Sequence, residues 1–287
     1  MNNFYIIANK VKDKGLEKTK AIKQFLELRG KKCDYSGIER VFEDENEESR
    51  IVSKIKDDVD AIISLGGDGT LIQISDIAGR KGIPILGVNI GNLGYLCEVE
   101  KDKVFEALEK LINDEFEIES RMMLSGQTTL ASVKMATVHA LNDVVIARRG
   151  TLGTLDFKVS VNGRVLYTCS SDGMIIATPT GSTGYNISAG GPIVAPYSES
   201  IILTPICAHS LNVRPIVFSA DDEVEIELLG ESSKPNTSVE VAFDGNKACP
   251  MSAGDKVTIR KAYTETKIIK LNSGSFFEVL SRKMSDR

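Results

Sequence analysis

Leu65-Gly66-Gly67-Asp68-Gly69-Thr70 is the stretch of this chain whose residue types and order best suit chemistry. It follows the apolar run Ala61-Ile62-Ile63-Ser64-Leu65 and precedes Leu71, Ile72, Ile74, Ile77 and Ala78 at helical spacing, so it reads as strand, glycine turn and helix start. Glycines permit positive φ and let backbone N–H groups close on an anion, and a helix N-terminus adds partial positive charge. That combination suits a phosphate. Asp68 is the unexpected member. A carboxylate repels phosphate unless it binds a divalent metal or takes a proton from a nucleophile, which points to phosphoryl transfer. On these residues alone, a tight turn with an Asp cap is an equal reading.

Absences narrow the chemistry. No G-x-x-x-x-G-K-[ST] occurs and no G-x-G-x-x-G follows a strand, so neither a P-loop nor the usual dinucleotide fingerprint is present. His139 and His209 lie far apart without metal-ligand spacing and read as hydrogen-bonded structural residues. Cys33, Cys97, Cys169, Cys207 and Cys249 are odd in number and include no C-x-x-C pair, which disfavours a disulfide framework and a thiolate metal site.

The elements that must position this turn alternate in two periods. Phe4-Tyr5-Ile6-Ile7-Ala8 and Ala61 to Leu65 are strand-like, and helical stretches separate such runs, a βαβ rhythm. Leu16, Ala21, Ile22, Phe25, Leu26 and Leu28 predict a helix between Lys14 and Gly30, with Gly30 ending it. The acidic run Glu43 to Glu48 predicts a solvated face or a helix N-terminus. After Phe116 the pattern becomes strand upon strand. Glu223 to Leu228 and Val239 to Phe243 alternate cleanly, and Asn162-Gly163, Asp221-Asp222 and Asp244-Gly245 supply turns. The fold class expected is therefore an α/β domain over residues 1–120, then a β-rich, β-sandwich-like domain over 121–270. Residues 271–287 form a tail with a final helix, for which either domain is open as a packing surface.

The chain has 287 residues, long enough for two ordinary domains, and its 42% hydrophobic and 26% charged residues are those of a globular protein. Forty acidic against 35 basic side chains give a formal charge of −5, which disfavours nucleic acid and anionic membrane surfaces as partners. The N-terminus lacks a basic, long apolar leader and no stretch approaches a membrane span, so a cytoplasmic protein is expected.

Further glycine- and hydroxyl-rich segments follow the turn: Gly87 to Leu96, Leu141-Asn142-Asp143-Val144-Val145, Ser171-Asp172-Gly173, and Thr178-Pro179-Thr180-Gly181-Ser182-Thr183-Gly184-Tyr185 running to Pro192. In this order and spacing, with Ala208-His209-Ser210-Leu211 and Arg214-Pro215-Ile216, they closely resemble the NAD kinase family over nearly the whole chain. Lipid kinases and phosphofructokinases carry similar glycine-aspartate turns; the long Thr-Pro-Thr-Gly-Ser-Thr-Gly-Tyr block is far more specific.

The resemblance implies an N-terminal α/β nucleotide-binding domain and a C-terminal β-rich domain, with the tail of residues 271–287 packing back on the first domain, and divalent-metal-dependent transfer of a phosphoryl group from ATP to the 2′-hydroxyl of the adenosine ribose of NAD, giving NADP, by a homodimer or homotetramer. It implies Asp68 as proton acceptor and Gly66, Gly67, Gly69 and Thr70 at the ATP phosphates. NAD would meet Asp68, Gly69, Gly184, Asn186 and Asn246, with Asn142 and Asp143 on its ribose or adenine side, Asp172 on the nicotinamide half, and Thr183, Tyr185 and Ser188 framing the adenine. The chain departs from the family in Asp143, often Glu, in Gly184, often Ala, and in Cys169-Ser170-Ser171, where relatives often place a basic residue. Arg148 and Arg149 are then candidates for the NAD phosphates. The competing readings are a lipid kinase sharing the turn, which would not need the Thr-Gly-Ser-Thr-Gly-Tyr block, and a catalytically weak NAD(P)-binding regulator, which would not need Asp68.

Overall fold

A computed structural model describes residues 1–39, 45–91, 94–150, 153–210, 212–231, 238–271 and 276–285. The chain divides into two compact units, Met1–Arg121 with Thr264–Arg287, and Met122–Tyr263.

The first unit alternates β1 (Asn3–Asn9), α1 (Glu17–Glu27), β2 (Lys32–Ile38), α2 (Glu45–Lys54), β3 (Ala61–Gly66), α3 (Asp68–Lys81), β4 (Ile85–Asn89), β5 (Val99–Glu100) and α4 (Val104–Ile112). The strands pair in parallel in the order β2, β1, β3, β4, with Ala8 beside Leu65 and Gly66 beside Asn89. Successive strands go to opposite sides of β1, so the chain reverses direction across the sheet between β1 and β3. In open parallel sheets that reversal opens a crevice at the strands' carboxyl ends. β1 and β3 are buried on both faces, which is why they read as unbroken apolar runs rather than alternating ones.

Phe4, Ile6, Ala8, Ile63 and Leu65 pack with Ile22 and Leu26 of α1 and Leu108 and Leu111 of α4. Helix α1 is shorter than its apolar pattern predicts. Lys14–Leu16 form a separate 3₁₀ turn, Ala21 faces solvent, and Leu28 lies past the last turn at 77% exposure. Gly30 follows with φ +73°. Of the acidic run, Glu45 to Glu48 open α2 and Glu48 pairs with Arg80 at 3.1 Å, while Glu43 and Asp44 lie outside the described residues.

The second unit contains β7 (Val133–Ala140), β8 (Asp143–Arg149), β9 (Leu155–Val161), β10 (Arg164–Ser171), β11 (Gly173–Ala177), α5 (Tyr185–Ser188), β12 (Ser200–Ile206), β13 (Ile216–Ser219), β14 (Val224–Glu231), β15 (Ser238–Phe243) and β16 (Asn246–Met251). β6 (Glu117–Leu130) leads into it and pairs antiparallel with β7; β17 (Lys256–Lys270) leads out, pairing antiparallel with β14 here and in parallel with β4 at Ile268 in the first unit. The antiparallel order β10, β9, β14, β17 forms one layer and β13, β12, β11, β8, β15, β16 the other. Phe157, Val159, Ile226 and Val257 of the first layer share one core with Val144, Ile146, Met174, Ile176 and Val241 of the second, a sandwich. Asn162-Gly163 and Asp244-Gly245 turn β9 into β10 and β15 into β16 with positive φ at both residues, the twist-matched hairpin turn.

The opposite face of β11 carries Ile175 and Ala177, with Ala189 and Val194 packed on them. The hydroxyl-rich segment is therefore held against a sheet and not free in solution. α6 (Phe276–Ser285) realises the helix expected in the tail, and none of its side chains is buried.

Candidate active site

The glycine turn stands at the carboxyl end of β3, beside the reversal between β1 and β3. None of Gly66, Gly67 and Gly69 lies in the left-handed region, contrary to the expectation from their conformational freedom, and a Cβ on Gly69 would meet nothing within 4 Å. A Cβ on Gly66 would lie 2.2 Å from Thr70 Oγ1, so the first helical turn folds directly onto the strand end. Gly67 caps α3 with extended backbone, its carbonyl accepting from Thr70 N at 2.9 Å and Leu71 N at 3.2 Å.

Asp68, the first residue of α3, does not hang free. Its carboxylate accepts three backbone N–H groups, from Tyr95 at 2.6 Å, Leu96 at 3.2 Å and Cys97 at 3.0 Å. A Cβ on Gly94 would stand 1.9 Å from Oδ1, and one on Gly87 would meet Cys97 Cα at 2.9 Å. Both glycines are needed for the loop to wrap the acid. Burial, and next the Asp68 carboxylate, hold the Cys97 thiol well above its usual pKa. Lys283 of α6 lies 4.7 Å from the centre of the Tyr95 ring. The cradle for Asp68 was missed in the sequence, because Gly87 to Leu96 gave no sign that its backbone N–H groups would converge on a carboxylate. Asn92 and Leu93 of that segment, and Leu211 of the later one, lie outside the described residues.

In the second unit the Asn142-Asp143 pair sits where β8 begins. Asp244, in its hairpin turn, accepts N–H groups from Leu141 at 2.7 Å, Asn142 at 2.7 Å and Asp143 at 3.1 Å, and its own N–H donates to the Asp143 carbonyl at 2.9 Å. Burial, then the nearby Asp244, push the Asp143 carboxyl up to about 7. Thr178 fixes the other side: its N–H donates to the Asn142 carbonyl at 2.8 Å and its hydroxyl to the Leu141 carbonyl at 2.6 Å. A Cβ on Gly181 would lie 2.1 Å from the Asn142 carbonyl oxygen, so only glycine lets this turn close.

Gly184 brings the block beside the pair, its Cβ direction pointing to Asn142 Nδ2 at 3.7 Å and Asp143 Oδ2 at 4.0 Å. Thr183 bonds the Thr180 carbonyl at 3.3 Å, and Tyr185 is 47% exposed, so its ring is no part of the core. Ser188 is exposed and Asn246 half-buried at the start of β16.

Asn186 differs from expectation. It is fully buried, donates to the Ser182 and Pro192 carbonyls at 3.1 and 3.0 Å, and accepts from Thr204 Oγ1 at 2.6 Å. Its amide is committed to the fold, so as a ligand-contacting side chain it is corrected to a brace for the segment.

Asp172 lies between β10 and β11, 3.3 Å from Arg148 and 4.0 Å from His209, while Arg149 pairs with Glu240 at 2.9 Å. Ser170 and Ser171 turn their hydroxyls to Asp156 and to the Gly173 carbonyl.

A glycine-bounded carboxylate at a parallel-sheet switch point, in a chain that also carries an Asn-Asp strand end packed by a hydroxyl-rich segment, defines a nucleotide-dependent phosphotransferase. The model of the ATP-NAD kinase N-terminal domain matches residues 4–116, and that of the ATP-NAD kinase C-terminal domain matches residues 141–271. The NAD kinase of Agathobacter rectalis is 42% identical over all of this chain and 99% of its own length; that of Caldanaerobacter subterraneus is 37% identical over the whole of both. A crystal structure of an NAD kinase from Archaeoglobus fulgidus in complex with ATP superposes with a TM-score of 0.74 at 26% identity, covering 98% of each chain. Yeast NADH kinase complexed with NADH shares the fold, with a TM-score of 0.78 at 20% identity over 99% of this chain and 87% of that one. The chain belongs to the NAD kinase family.

Proposed function

We propose that this chain transfers the γ-phosphoryl group of ATP to the 2′-hydroxyl of the adenosine ribose of NAD, giving NADP and ADP. The observation that carries the reading is Asp68, a carboxylate fixed by backbone donors inside a glycine turn that otherwise suits phosphate. The ribose 2′-oxygen attacks the γ-phosphorus, the bond to the bridging oxygen of ADP breaks, and the hydroxyl proton passes to Asp68. Gly67 and Gly69, at the N-terminus of the 14-residue helix α3, are assigned as backbone donors to the phosphates, with Gly66 at the strand end and the Thr70 side chain beside them.

Asn142 and Asp143 are assigned to the ribose and adenine side of NAD, Thr183, Gly184, Tyr185 and Ser188 to the adenine surroundings, Asp172 to the nicotinamide half, and Asn246 to a peripheral contact. One end-point assay tests the whole: ATP and magnesium against NAD, NADH, a diacylglycerol and a hexose phosphate, with NADP read out enzymatically. NADP formed from NAD supports the reading. Phosphorylation of the lipid or sugar alone would overturn it, as would binding of NAD with no product.

Among the described residues no group of three His, Cys, Asp or Glu side chains converges to hold a metal ion, and the Asp68 carboxylate faces backbone donors. These residues do not fit a resident ion. We therefore assign the divalent ion to the substrate, arriving on the triphosphate, whose phosphates are a usual part of a magnesium coordination shell. Turnover is expected to vanish in excess chelator and to return when magnesium is restored, checked by NADP formation.

A second expected outcome concerns Asn142. Asn142→Ala removes a neutral hydrogen bond worth ~0.5–1.5 kcal/mol, so KM for NAD should rise several-fold with KM for ATP little changed. Equal effects on both substrates would count against the assignment.

All five cysteines are free thiols, which supports a reducing, cytoplasmic setting. Among the described residues no helix is long and apolar enough to cross a membrane. Assembly as a homodimer or homotetramer is proposed on family resemblance.

A further inference from the structure

We propose that Lys12 holds a phosphate of the triphosphate donor over the glycine turn, supplying the cation that the turn itself lacks. The assignment rests on the kinase reading above and deepens it, since no residue outside the turn has so far been given to the donor.

The sequence places Lys12 just after β1, and two acid or amide side chains fix its backbone there. Asn9 Oδ1 accepts the N–H groups of Val11 and Lys12, each at 3.0 Å, and the Asn9 carbonyl accepts those of Lys12 at 3.2 Å and Asp13 at 2.8 Å. Asp13 is itself buried and accepts from Thr19 N at 2.9 Å, Thr19 Oγ1 at 2.6 Å and Lys18 N at 3.1 Å. The loop from residue 9 to residue 13 is thus closed at its start and anchored to α1 at its end. Lys12 roots in a rigid turn although its side chain is exposed.

From that root the ammonium crosses to β3. Nζ donates to the Gly66 carbonyl at 3.2 Å, stands 2.8 Å from where a Cβ on Gly67 would be, and 3.3 Å from one on Gly91. Residues 9, 66 and 89 are the last of the three adjacent parallel strands β1, β3 and β4. Lys12 therefore lies at the switch point between β1 and β3, on the side where parallel sheets bind their ligands.

Among the described residues no carboxylate pairs with it. Asp13 and Asp68 both turn their oxygens to other donors, and among the described residues Lys12 makes no ion pair. One of its three N–H bonds meets Gly66, and two are left for an anion. An ammonium so placed answers the charge of a triphosphate, a task that a P-loop lysine performs in other nucleotide kinases.

The test compares wild type with Lys12→Met and Lys12→Arg, and with Lys20→Met on the exposed side of α1 as a charge-matched control. Calorimetry with a non-hydrolysable ATP analogue and magnesium should show binding weakened roughly 10-fold or more in K12M, as for a lost charge-assisted bond, with partial recovery in K12R. KM for ATP should rise in step while KM for NAD and the melting temperature stay as in wild type. Unaltered analogue binding by K12M would overturn the assignment, as would an equal loss of NAD affinity. The binding comparison needs no turnover, so it decides on Lys12 even if wild-type protein formed no NADP, a result that would sink the kinase reading alone.

Discussion

Asp68→Asn is expected to lower kcat by at least about 100-fold, the lower end of what general-base assistance contributes. The amide keeps the size of the side chain but has no basic oxygen for the ribose proton. The structure adds a second consequence. The carboxylate accepts three N–H groups with two oxygens, whereas an amide offers one oxygen and turns an NH₂ group toward whichever donors the other oxygen held. Loss of a charge-assisted bond costs about 1.5–3 kcal/mol, so the mutant should also melt at lower temperature.

Gly94→Ala separates the two effects. Its Cβ would stand about where the carboxylate now lies, 1.9 Å from Oδ1 and 2.2 Å from Oδ2, so Asp68 must leave the cradle with its charge intact. A fall in kcat in both variants, with NAD affinity by calorimetry close to wild type in D68N, is the expected result. A folded D68N that binds NAD normally and keeps most of its kcat would show Asp68 to be structural, and would favour a regulator over an enzyme.

What the sequence disclosed and what it hid divide along range. Strand, turn and helix around Asp68 were legible because Ala61 to Leu65 and Leu71 to Ala78 carry their own periods. Asn162-Gly163 and Asp244-Gly245 announced turns for the same reason, since a turn is specified by the two residues in it. The partners of the site were not legible. Asp68 is held by donors 27 to 29 residues further on, Lys12 reaches a carbonyl 54 residues away, and Asp244 secures a turn about 100 residues earlier. No local pattern encodes such pairings; they follow from which strands the topology sets side by side. Asn186 was misread on the same ground: its neighbours in sequence are exposed and hydroxyl-rich, and only the approach of Thr204 and Pro192 reveals a buried brace.

The largest effect on NAD is expected at Asp244, which touches no substrate in the proposed assignment. Asp244→Ala leaves the N–H groups of Leu141, Asn142 and Asp143 without their carboxylate, and each partly buried donor left unpaired costs ~1–3 kcal/mol. KM for NAD should rise at least tenfold while KM for ATP moves little, a split that general unfolding would not produce. Asp244→Asn restores the shape and tests the charge. With Asp244 present, burial and its carboxylate push Asp143 up to about 7, so only about half the molecules carry an ionised Asp143 near neutrality. An ionised Asp143 is the better acceptor for a ribose hydroxyl, so KM for NAD in wild type should fall as pH rises through about 7. The sign for stability is the reverse. The folded protein holds this proton more tightly than the unfolded chain, whose aspartates titrate near ~3.9, so the Asp143 contribution is full below ~4 and lost as pH rises through 7. Removing the neighbouring charge in D244N lowers the Asp143 pKa, so both the NAD and the stability transitions should move to lower pH together. Titrations of KM and of melting temperature from pH 5 to 8 on wild type and D244N decide it: coincident midpoints in the two proteins would show that the charge of Asp244 does not govern Asp143.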